Sequence, residues 1–145
     1  MRYIYSNVNS DVLLHAINRL DEITNVRQDI SPDEQYLQVS CFSLPLGKTF
    51  RPHKHILLNR ETDITQESWV VIKGKVKAIL YDLDDSILEE VILSAGDCSV
   101  TFRGGHNYES MEEGSIVYEY KTGPYFGQEK DKVFVWNTDQ INHVK

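Results

Sequence analysis

The chain has 145 residues, 41% apolar and 26% charged, enough for one compact domain with a single core and too apolar for disorder. Its net charge of −7, from 22 acidic against 15 basic side chains, and the lack of any basic patch argue against a nucleic-acid partner, since a phosphate backbone would be repelled. The N-terminus has no uninterrupted apolar core and no stretch approaches about 18 apolar residues, which argues against secretion and membrane spanning and gives the expectation of a cytoplasmic protein.

In chain order, residues 10–23 place Leu13, Ile17 and Leu20 at helical spacing behind Ser10 and Asp11 as N-caps, which predicts one amphipathic helix. His15 lies on that helix and reads as a surface or packing histidine. After the turn Ser31-Pro32-Asp33 the pattern becomes short strands, broken near Pro45 to Gly47, Gly74, Asp82 to Asp85, Gly96, Gly104-Gly105, Gly114 and Gly123-Pro124. Val76, Ala78 and Leu80 alternate with Lys75, Lys77 and Ile79, and Ile116, Tyr118 and Tyr120 with Ser115, Val117 and Glu119, as half-buried strands do. The run Asp82 to Asp85 reads as a hairpin turn with solvated carboxylates. Cys41 and Cys98, each in a strand-like run, read as reduced core thiols. Residues from Val133 start apolar and end polar, an edge strand followed by a frayed tail that includes His143. The organisation predicted is an N-terminal helix and lead-in over 1–30, an all-β barrel over 31–136 and a tail over 137–145.

Within the barrel the chemistry-bearing residues are His53 and His55, which share one face of a strand and aim two imidazoles at one spot. A carboxylate such as Glu67 and a third imidazole such as His106 could complete a metal site. Arg51 has the parity of His53 and His55, although Pro52 interrupts the ladder. It would either anchor a carboxylate or phosphate or snorkel to water. Trp69 and Val71 share parity with Glu67 and form an apolar wall, Trp69 serving as core or as substrate platform. Tyr118 and Tyr120 lie on a late strand whose phenols could reach a bound oxygen.

The pattern Gly47, five residues, His53-Lys54-His55, then Glu67, six residues, Gly74, resembles the first motif of the cupin superfamily. Gly96 to His106 is similar to a degraded second motif. The RPHKH, ESWVVIKGKV and YEYKTGPYFGQEKDK segments look similar to WbuC-type cupin-fold metalloproteins of bacterial surface-polysaccharide gene clusters. Three departures stand out: eleven residues separate His55 from Glu67, Phe102 replaces proline, and Ser110 stands where a polar residue such as asparagine is usual. The long spacer also contains Glu61 and Asp63, but only Glu67 has the motif's spacing to glycine.

The resemblance implies a small single-domain jelly-roll barrel in which His53, His55, Glu67 and His106 bind one divalent metal per chain, with Fe, Zn, Mn and Ni indistinguishable by ligand type. It further implies action on a small polar molecule, sugar-derived or carboxylated, with the metal as Lewis acid or oxygen-activating centre in an isomerase, lyase or dioxygenase. Arg51, Trp69 and Tyr118 would bind substrate. The alternatives are a non-catalytic sugar or nucleotide-sugar binding module and a metal-independent sugar-nucleotide isomerase or epimerase. A homodimer is expected, because Ser68, Val70 and Ile72 form an apolar face that wants cover, although the predicted helix or the stretch Val39 to Phe42 would serve within one chain.

Overall fold

The computed structural model describes residues 1–135. Ten strands dominate: β1 Arg2–Tyr5, β2 Leu13–Asn18, β3 Gln28–Asp29, β4 Ser40–Cys41, β5 Glu67–Lys73, β6 Lys75–Tyr81, β7 Ile87–Ser94, β8 Cys98–Thr101, β9 His106–Ser110 and β10 Ile116–Lys121. A 3-10 turn, Leu20–Glu22, and one short helix, α1 Gln128–Asp131, complete them. The protein is all-β, as its pattern of short runs and turns predicts. No helix among the described residues is long and apolar enough to cross a membrane. The expected tail over 137–145, with His143, lies outside the described residues.

The strands form a five-stranded sheet in the order β1-β2-β8-β5-β10 and a three-stranded sheet in the order β7-β6-β9, both antiparallel. Between them lies the inner core of Ile4, Ile17, Val71, Val76, Ala78, Leu80, Val91 and Leu93. Alternation decides which residues enter it: Val76, Ala78 and Leu80 point inward from β6, as their spacing predicts. A second core covers the other face of the larger sheet. There Ile30, Leu37, Val39 and Cys41, from the segment around β3 and β4, pack on Ala16, Val70, Cys98, Val100 and Phe102. The stretch from Val39 thus covers Val70 within one chain, while Ile72 stays exposed. Cys41 and Cys98 are both free thiols.

Residues 10–23 are not the expected amphipathic helix. Leu13 to Asn18 form β2, and only Leu20 to Glu22 turn. The reason is burial on both sides: from Leu14 to Asn18 every residue is buried, between β1 and β8 and between the two cores. A strand without an exposed face loses its period of two, and an apolar run then carries no signal that separates it from a helix. The turn that follows is tied down by Asp97, whose Oδ1 accepts the Leu20 N–H at 3.0 Å while Oδ2 accepts from Arg19 at 2.7 Å and from the Ser94 N–H at 2.9 Å.

The β6–β7 hairpin turns at Asp82 to Ser86, with Asp85 at φ 65°. Its carboxylates are not all solvated. Asp82 is buried, accepts from the Ser6 hydroxyl and takes the Asn7 N–H at 2.6 Å, which pins the β1–β2 loop to the turn. The largest difference from expectation is the stretch between β4 and β5. It has no strand, and Arg51, Pro52, His53 and His55 are all exposed. Pro45 and Pro52 each remove a ladder donor there.

Candidate functional site

Sheet register assembles a polar group between the two apolar sheet faces. Across the larger sheet, Ile4 pairs with His15, His15 with Thr101, Thr101 with Glu67 and Glu67 with Lys121. All of these point inward, because antiparallel partners share a face. One row further on, Ile17, Ser99, Trp69 and Glu119 pair in the same way. From the facing sheet, His106 and Tyr108 share the parity of Leu80 and Ala78, their inward-facing partners on β6. Glu67 and His106 therefore meet from opposite sheets.

The contact is direct. His106 Nε2 lies 3.1 Å from Glu67 Oε1, which also accepts the Trp69 indole N–H at 2.8 Å. Burial on its own would raise the Glu67 carboxyl, but the hydrogen bond and charge of His106, the Trp69 donor and the charge of Lys132 outweigh it and hold it at about 2. An ionised carboxylate accepts only, so Nε2 carries the shared proton and Nδ1 is the ring's other polar atom. That Nδ1 is buried with no hydrogen-bond partner. Trp69 and Tyr108 stack at 3.9 Å with 10° between their planes, walling one side. Tyr108 OH bonds Ser99 Oγ at 2.8 Å, and burial pushes its phenol well above the usual range.

Next to this pair lies a second buried imidazole. His15 Nε2 donates to the Tyr81 carbonyl at 3.2 Å, so Nδ1 accepts the Thr101 hydroxyl at 3.1 Å and the ring sits neutral. Burial lowers its pKa to about 4, against the opposing Tyr81 bond and with help from His106. Gly104 makes this arrangement possible. At φ 76° it carries the chain from β8 to β9, and a Cβ there would stand 2.6 Å from the Tyr81 carbonyl oxygen and 3.4 Å from His15 Nε2.

The structure brings Glu67, His106 and Trp69 together and leaves the other sequence-predicted residues elsewhere. His53 and His55 lie side by side, ring centroids 5.5 Å apart, with the His53 Nδ1 donating to the Arg51 carbonyl at 3.0 Å. They sit on the exposed segment between β4 and β5, whereas Glu67 is buried. Among the described residues no group of three or more His, Cys, Asp or Glu side chains is gathered as a metal would need. Tyr118 and Tyr120 pair with Val70 and Ser68, which turns both phenols to the outer face, opposite Glu67. Tyr118 and Tyr120 keep the expected common face, but a bulge between Ile116 and Val117 breaks the expected alternation with Ile116, and the partner strand decides which face is outer.

The residues missed from sequence are His15, Thr101, Ser99 and Tyr108. Tyr108 carried a signal, since it follows His106 at i+2 on one strand. His15 carried none while its segment read as a helix.

The donors present are a carboxylate and an imidazole at 3.1 Å. Two ligands of one ion, with bonds of about 2.1 Å at roughly a right angle, lie about 3 Å apart, so the two atoms would both reach one ion only if it displaced the Nε2 proton. Among the described residues no group partners the buried Nδ1. No protein-family model, curated protein or solved structure matches this chain.

Proposed function

We propose that the two facing sheets are a small cupin barrel and that Glu67 and His106 form the fixed half of a site for one divalent ion, Fe, Zn, Mn or Ni, completed by His53 and His55. The observation that carries this reading is the Glu67–His106 contact at 3.1 Å between two sheets, with a buried nitrogen left unpartnered. Such an ion would supply Lewis-acid chemistry, or oxygen activation in the case of iron. The chain's own residues have separate tasks. Glu67 orients the His106 ring, Trp69 holds the carboxylate through its N–H, and the Trp69–Tyr108 stack keeps water from that side. Lys121 and Lys132, whose charges reach Glu67, favour an anionic or strongly polar small molecule, sugar-derived or carboxylated, over an apolar one. Arg51, next to His53, would arrive with the same segment and bind the anionic group. The net charge of −7 favours a small-molecule partner over nucleic acid, in keeping with a cytoplasmic metabolic role.

The test is metal content by mass spectrometry on untagged protein purified anaerobically without chelator. About one ion per chain is expected, falling at least about tenfold in His53→Ala and in Glu67→Gln while the far-ultraviolet circular dichroism stays unchanged. Metal that survives both substitutions, or none after anaerobic loading, overturns the reading.

One observation favours a second reading. A histidine held by a carboxylate through Nε2, with Nδ1 bare, is also the arrangement of an oriented general base. His106 would then abstract a proton from a sugar derivative without any ion, and activity on that substrate would persist after chelation.

A further inference from the structure

After β10 the chain returns across the end of the two sheets at which Glu67 and His106 meet. Glu67 is the first residue of β5 and His106 the first of β9. Residues 122–135 start beside one and finish beside the other. Lys121, the last residue of β10, pairs with Glu67, and the Thr122 N–H donates to the Gln66 carbonyl at 3.0 Å while its hydroxyl accepts the Gln66 N–H at 3.0 Å. At the far end Val135 packs on Gly105, where an added Cβ would stand 3.1 Å from Val135 Cγ2. Between these ends α1 is pinned by Asp131, whose Oδ1 accepts the Thr65 hydroxyl at 2.6 Å. Thr65 stands two residues before Glu67, so the pin is at the edge of the site. The other oxygen of Asp131, Oδ2, is buried with no hydrogen-bond partner among the described residues. One hydrogen bond set against a half-satisfied buried carboxylate makes a latch that opens readily.

Of the two lysines whose charges reach Glu67, one is engaged. Lys121 Nζ lies 3.3 Å from Glu119 Oε1 and 4.1 Å from the centroid of the Tyr125 ring. Lys132 is exposed and forms no ion pair with any described residue. Glu67 does not depend on it, because its Oε1 is already held by His106 Nε2 and by the Trp69 indole N–H. Lys132 also lines, with Lys130, Phe126 and Phe134, a recess of about 610 Å³, within the size range of small-molecule sites. An unpaired ammonium between a recess and a buried carboxylate is placed to hold one anionic group.

We propose that residues 122–135 are a strap across the Glu67–His106 end and that Lys132 on it pairs with an oxyanion, the phosphate or carboxylate of the small molecule bound there, so that binding holds the strap closed. The anchor rests on the reading of Glu67 and His106 as a small-molecule site; the strap rests on the contacts at Thr65 and Gly105 alone. Passage at this end needs the Thr65–Asp131 latch to open, which carries Lys132, the next residue, away with it. A ligand that pairs with Lys132 only when the strap is shut shifts the opening equilibrium by its affinity for that state.

Hydrogen–deuterium exchange of the full chain, read by mass spectrometry over residues 122–135, tests both parts. Thr65→Val keeps the shape and removes the donor, and should speed exchange there at least about fivefold while β6 and β7 exchange as in wild type. Thr65→Ser, which keeps the hydroxyl, should restore the wild-type rate. If β6 exchange also rises in Thr65→Val, Asp131→Ala takes its place. Exchange of the segment at the wild-type rate without the latch overturns the strap. Inorganic phosphate and acetate, each compared with sodium chloride of equal ionic strength, probe the anchor. Slowing by phosphate alone assigns a phosphorylated molecule and slowing by acetate a carboxylated one, and either effect should vanish in Lys132→Ala. No slowing by either anion, or slowing that survives Lys132→Ala, overturns the anchor. Metal content of the same samples keeps the two readings apart. Anion-dependent slowing in a wild-type chain that takes up no metal overturns the metal reading and keeps the anchor, and metal without any such slowing does the reverse.

Discussion

At the residue scale, His15 is the most consequential side chain that the sequence did not mark. It is fully buried and neutral, with its pKa lowered from 6.5 to about 4. In the unfolded chain the ring takes a proton below about pH 6.5, and in the folded protein only below about pH 4. Between those values the unfolded state binds more protons, so stability falls as pH falls through that window and levels off beneath it. The loss attributable to His15 is about 3 kcal/mol. Urea unfolding at steps from pH 7 to pH 4 measures it, and His15→Gln should flatten that part of the profile; an unchanged profile in the variant would assign the dependence elsewhere. Glu67 shifts in the same direction in a lower window, its pairing stabilising the fold above the unfolded carboxyl range and being lost as pH falls toward about 2. Glu67 and His106 were both legible from their spacing to glycines. Their bond was not, since it joins β5 to β9 across 39 positions.

At the element scale, the short connection from β8 to β9 decides whether the site forms. Gly104 has φ 76° and sits against the Tyr81 carbonyl. Gly104→Ala meets both a left-handed backbone and a backbone oxygen that cannot move aside, and should cost at least about 2 kcal/mol. Thermal melting reports the loss, and fluorescence in a Trp136→Phe background, which leaves Trp69 as the one indole, reports whether it remains against Glu67; a melting temperature within error of wild type would refute the argument. The elements that the sequence predicts well are those with one wet face. Strand β6 keeps Lys75 and Lys77 partnered with surface acids, Glu112 at 3.0 Å and Glu109 at 2.7 Å, while Val76 and Ala78 enter the core. Strand β2 has no wet face, and its helical reading failed for that reason. The expected His53–His55 strand failed differently: among the described residues no strand pairs with this segment.

At the scale of the whole molecule, two cores share one sheet. Phe102 is fully buried in the outer core, and Trp69 lies on the inner face of the same sheet. Phe102→Ala should cost about 3–5 kcal/mol and move the entire unfolding transition, so that tryptophan fluorescence and circular dichroism still coincide. Separate transitions would mean that the β3–β4 layer is a detachable cover. The sequence by itself determined that the chain is all-β, where most of its turns fall, and which residues alternate along β5 and β6, because turn residues and alternation are local signals. Only the tertiary structure decided that residues 13–18 are a strand, that Tyr118 faces out, that His15 and Tyr108 line the interior, and that His53 and His55 stand exposed on the segment between β4 and β5. Those outcomes depend on which strand lies next to which and on what covers each face. Such pairings are set by contacts between distant parts of the chain, and no local pattern encodes them.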